Sequence, residues 1–153
     1  MGLATFFSGL SSAAAVAKTL QSLLKNTRGV KRALLLELQK NLNLLYLFEG
    51  DASKLKTIVN RLEVRVYETA VASNFDFKDI KKGKLNPRLV KDIKQLQAYA
   101  GWSTEQLFEN IYLKIHQLKS IIDIDPDNAR FRLNVRLRNL HKMMLLLIKH
   151  VNS

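Results

Sequence analysis

Apolar residues recur at three- and four-residue steps along almost the whole chain, and this period decides what it can fold into. Leu3, Phe6, Leu10, Ala13, Ala17, Leu20 and Leu24 form one stripe, and Leu34, Leu38, Leu42 and Leu45 a second. Leu55, Val59, Leu62, Val66 and Ala70 form a third, and Leu107, Ile111, Ile115, Leu118 and Ile122 a fourth. The last, through Leu133, Leu137, Leu140, Met144, Leu147 and Val151, is the most regular. Runs of period two are absent, and six glycines and two prolines in 153 residues are too few for a turn-rich sandwich or barrel. Helix stops fall at Gly29 and Gly50, and Asp51 or Ser53 can cap the third helix. Asn86-Pro87 opens a short helix over about 87–100, and Asp125-Pro126 opens the last helix. Ser103, with Gln106 three places on and Trp102 placed to pack on Leu107, spells a capping box with a hydrophobic staple. The prediction is an all-α fold, an up-down-up-down four-helix bundle with one additional short helix, built by residues 1–153 as a single domain.

Charge is distributed unevenly over this frame. The net charge is +12, yet residues 37–127 carry fourteen basic and thirteen acidic side chains and nearly balance. The excess lies at the two ends, which contain no carboxylate: Lys18, Lys25, Arg28, Lys31 and Arg32 before Glu37, and six cations from Arg130 to Lys149. In an up-down-up-down bundle the first and last helices are neighbours, so these segments are expected to merge into one basic face. On a helical wheel Arg138, Lys142 and Lys149 lie opposite the apolar stripe of the last helix, as a solvent-facing ridge would. Such a face favours an anionic partner: nucleic acid, an anionic membrane surface or an acidic protein. At 47% apolar residues the chain can bury a core, which excludes intrinsic disorder. The absence of cysteine excludes disulfides, thiolate metal sites and a thiol nucleophile. The expected location is the cytoplasm, free or membrane-associated.

No catalytic signature stands out, and no cofactor or metal is expected. There is no HExxH, no Gly-rich phosphate loop, no Gly-x-Ser-x-Gly and no Glu-x-x-His pair. Asp123, Asp125 and Asp127 copy the opening of a calcium loop, but Asn128 and Asn134 replace its glycine and glutamate and Pro126 stiffens its middle. They are read as a turn with a helix cap. One enzymatic pattern remains: Arg136 and His141, an Arg-x4-His on the last helix. It is similar to the motif of HEPN-family ribonucleases, helical bundles whose arginine and histidine serve RNA cleavage at a dimer cleft. That resemblance implies catalytic roles for Arg136 and His141. The chain departs from the pattern at Leu137, where the family usually has a polar residue, and the two side chains flank the core stripe on opposite sides.

Residues 1–17 contain no charged side chain. Thr5, Ser8, Ser11 and Ser12 dilute the segment and it is short for a membrane span. It is read as the first helix of the bundle or as a helix able to leave it, with Phe6, Phe7 and Leu10 entering lipid. Lys18, Lys25, Arg28, Lys31 and Arg32 would then meet the headgroups. Phe75, Phe77 and Ile80, interleaved with Lys78, Lys81, Lys82 and Lys84, would add a second interfacial contact. This length, helical content and small-residue apolar start are similar to the N-terminal four-helix modules of cell-death effectors, such as fungal HeLo domains. The resemblance implies homo-oligomerisation and membrane permeabilisation by the first helix.

Overall fold

The computed structural model describes residues 13–48, 50–125, 127 and 131–153. It is all-helical, with no strand among the described residues and one isolated β-bridge between Lys84 and Ser103. In chain order the α-helices are α1 (Ala13–Leu24), α2 (Gly29–Phe48), α3 (Leu55–Arg61), α4 (Arg65–Ala72), α5 (Thr104–Ile124) and α6 (Leu133–Val151). Short 3₁₀ turns fill Ala52–Lys54, Phe77–Asp79, Pro87–Leu89 and Lys94–Tyr99.

Four expectations need correction. The third predicted helix is two helices broken at Leu62–Val64, because α2 supplies polar groups that no helix interior could use. Asn41, fully buried, donates to the Glu63 carbonyl (2.9 Å) and accepts the Glu63 N–H (2.8 Å). One turn earlier, the buried Glu37 carboxylate accepts the Val66 and Tyr67 amides (2.7 and 3.2 Å) and the Tyr112 hydroxyl (2.7 Å). It thus caps α4 from another helix, since Val64 at the N-cap provides no side-chain bond. α4 closes with Asn74 at φ 58° and the Phe75 N–H on the Ala70 carbonyl (3.0 Å), a Schellman ending.

The second correction concerns 87–100, which forms 3₁₀ turns rather than an α-helix. Val90, Ile93 and Leu96 are buried and three apart, with half-buried Tyr99 next in the series. At three residues per turn they stay on one side, whereas an α-helix would rotate them progressively out of the core. Third, Asp125 ends α5, and α6 begins only at Leu133, after Arg132 in the left-handed region (φ 47°). Fourth, Phe77 and Ile80 are core residues and Phe75 packs edge-on to Phe77 (5.2 Å between ring centres), so they offer no interfacial contact. The capping box at Ser103 and Gln106 forms as expected, at 3.2 and 2.9 Å.

The core is one cluster reaching from Val16 to Val151. α5 and α6 make the most extensive helix pair; α2 packs on α1, α3, α4 and α6. Six successive residues of α6, Met143 to Ile148, are at most 2% exposed, so its second half is enclosed on every side rather than facing solvent with an outer ridge. Accordingly Lys142 and Lys149 are half-buried, while Arg138 is exposed.

Candidate functional site

The candidate site lies where α5, α6 and the Lys94–Tyr99 turn meet. Along α6, Arg132, Arg136, Asn139 and Met143 follow at three- or four-residue steps, a face distinct from the Leu137–Leu140–Met144 core stripe. This face and α5 enclose two adjoining depressions of about 290 and 410 Å³. Lys114, Val135 and Asn139 border both, so the two form one groove. Among the described residues its cations are Lys114, Arg132, Arg136, Arg138 and Lys142, and no carboxylate lines it.

Local structure fixes these side chains. The Arg136 Nε donates to the Phe131 carbonyl (2.7 Å), which orients the guanidinium across the start of α6 and leaves its two η nitrogens for a ligand. Lys114 is half-buried, and its ammonium is held below the ordinary lysine range by burial first and the Arg136 charge second. Burial and the neighbouring Arg136 both disfavour the charged ammonium, and an anion beside it would favour that form. One aromatic ring lines each depression: Phe131 with Arg132, and Tyr99 with Gln95 and Leu96. Tyr99 is held edge-on against Trp102, with 4.7 Å between ring centres and 85° between planes.

Of the residues singled out in the sequence, the structure brings Arg136, Arg138 and Lys142 into this groove. Lys149 lies two turns further along α6 and does not line it. Lys18, Lys25, Arg28 and Arg32 are exposed and Lys31 is half-buried. None of the five lines the groove, because the described part of α1 packs on α2 while α6 packs on α5 and α2. The expected merging of the two basic ends through direct α1–α6 packing is therefore absent from the main helix contacts. Arg32 instead closes α1, donating to the Leu24 carbonyl (2.9 Å) beside the Thr27 hydroxyl (2.9 Å). Phe6, Phe7 and Leu10 lie outside the described residues. Among the described residues no helix is long and apolar enough to cross a membrane.

The Arg-x4-His pair is not gathered on one face. Arg136 turns into the groove, whereas the His141 ring packs edge-on against Tyr46 of α2 (4.6 Å between centres). Burial pushes the His141 pKa down to about 4, and its buried Nε2 has no hydrogen-bond partner. The other histidines have structural partners. His116 faces Glu68 at the surface (3.2 Å), and buried His150 bonds Thr104 through Nε2 (2.9 Å). Thr104 gives its own proton to the Lys81 carbonyl (2.7 Å), so His150 is the donor in that pair. Of the aspartates, Asp125 ends α5 and Asp127 pairs with Lys56 (3.3 Å). No group of three metal-ligating side chains occurs among the described residues.

Lys114, Asn139 and Tyr99 were missed by sequence reasoning. Lys114 stands in a segment whose charges nearly balance, and only the packing of α5 on α6 sets it beside arginines. No protein-family model matches the chain, and neither a curated protein nor a solved structure matches it.

Proposed function

We propose that this chain is a nucleic-acid-binding helical module that holds a phosphodiester backbone in the α5–α6 groove. The observation that carries the reading is the lining itself: among the described residues, five cations and no carboxylate around one concave surface. Phosphate oxygens satisfy guanidinium and ammonium donors in pairs, and their charge relieves the repulsion between Lys114 and Arg136. The groove also pairs this charge with aromatic rings, which a lipid headgroup surface does not require. The membrane reading depends on Phe6, Phe7 and Leu10, outside the described residues, while the described part of that helix commits Val16, Leu20 and Leu24 to the core. An acidic protein partner would use the same cations without using the rings. The Arg136–His141 ribonuclease reading draws no support from two side chains that face different helices.

The test is a side-by-side titration of the full chain with a labelled oligonucleotide and with anionic liposomes, each at about 50 and 200 mM salt. Oligonucleotide binding that weakens steeply with salt and is lost in the Lys114→Gln/Arg136→Gln/Arg138→Gln variant supports the reading. Equal binding by variant and wild type overturns it, as does binding to liposomes alone.

A further inference from the structure

We infer that the groove takes single-stranded nucleic acid and excludes the duplex. This rests on the nucleic-acid reading above and goes further by naming the form of the ligand. Two of the five cations are recessed. Lys114 and Lys142 are half-buried between α5 and α6, and the Lys94–Tyr99 turn closes one side. Proteins that read duplex DNA do the reverse, inserting a protruding helix or ribbon into a major groove about 12 Å wide. Here the basic face of α6 is the wall of a cleft. A duplex, convex and stiff, reaches only the exposed rim at Arg132, Arg136 and Arg138 and not the half-buried Lys114 and Lys142. A single strand is thin and pliable enough to enter.

The layout along the groove matches such a strand. From Arg132 to Lys142 the helix rises about 15 Å, with charged side chains at Arg132, Arg136 and Lys142 and Lys114 opposite them. Phe131 lines one depression and Tyr99 the other, both half-buried, and Tyr99 is held by Trp102. Aromatic rings flanking a cationic track are the physical means by which single strands are held with little regard to sequence: phosphates on the charges, bases stacked on the rings. Paired bases are already stacked on each other and cannot use them. Asn139, which borders both depressions, adds an amide donor and acceptor at the middle of the track for a base edge.

The molecule carries its own reporter. Trp102 is the single tryptophan and lies edge-on to Tyr99, so a base stacked on Tyr99 alters its surroundings. Wild-type protein is titrated with an oligothymidylate of about 12 nucleotides, within the usual site sizes. A hairpin duplex of equal charge and inorganic polyphosphate are titrated alongside, following both anisotropy and tryptophan emission. The single strand is expected to bind at least about tenfold more tightly than the duplex, with stacking contributing about 5- to 150-fold per ring. It is also expected to change Trp102 emission, whereas polyphosphate leaves the emission unchanged. Tyr99→Ala and Phe131→Ala should weaken the single strand without altering its salt dependence. Tyr99→Trp, which keeps a stacking surface, should retain binding. Duplex affinity equal to or above that of the single strand overturns the inference and leaves the nucleic-acid reading standing, as does polyphosphate matching the single strand in both signals. Failure of both oligonucleotides to bind overturns the reading itself.

Discussion

Glu37 is the first carboxylate in the chain, and in the sequence it marks only the end of a basic stretch. In the fold it is 2% exposed and accepts three hydrogen bonds. Nothing within its own helix announces this, because the donors come from residues 29 to 75 positions away. Replacing it by Gln leaves one acceptor oxygen and turns an NH₂ towards buried N–H or O–H donors. Glu37→Gln is expected to cost on the order of 2–4 kcal/mol in urea unfolding. His141 gives a second prediction at this scale. Its folded pKa, about 4, lies below the ordinary 6.5, so between these values the unfolded chain takes up the proton first. Stability is therefore intact above about pH 7 and falls as pH drops from 6.5 to 4, by about 3 kcal/mol for this residue. His150, also lowered by burial and by Lys81, acts in the same direction. In His141→Phe, which keeps the ring against Tyr46, the acid-induced loss should shrink by that share; an unchanged loss would show that His141 is not buried in solution.

At the scale of elements, the long periodic segments were legible: α2, α5 and α6 occupy their stripes, and the box at Ser103 is formed by the residues that spelled it. The misreadings share a cause. Periodicity reports which residues face the core but not whether the backbone between them is continuous. Leu62, Val66 and Ala70 stay in register across the α3–α4 break because the clasp on Glu63 turns the chain within the same face. Asn41→Ala removes both bonds of that clasp and leaves the Glu63 amide and carbonyl without their partner. A loss of about 2–3 kcal/mol is expected, with the Glu63 amide losing hydrogen-exchange protection before those of α5. Ser103→Ala, which removes a cap at a more exposed site, should cost only about 1 kcal/mol.

Over the whole molecule, the sequence places the cations on the chain but not on the surface. The arginines of α6 were visible as a run; their facing partner Lys114 was not, and the α1–α2 cations belong to another part of the surface. The groove is also a source of instability in the free protein, since Lys114 is partly desolvated next to Arg136. Lys114→Met, which keeps the apolar stem, should raise the melting temperature slightly at low salt, with the gain fading as salt screens the repulsion. The same variant should bind single strands less tightly, the signature of a residue kept for binding rather than for folding. If all five groove cations meet phosphates, log K should fall against log salt with a slope of about −3.5 on a single strand. The capping of α4 by Glu37 also sets a helix that borrows its start from another element against α5, which carries its own. A peptide of residues 102–124 carries its whole start signal and is expected to show helical circular dichroism in isolation. A peptide of residues 62–75 has its stop but not its start, which arrives only when α2 is already in place, so the α3–α4 region is the part of this protein that cannot be transplanted alone.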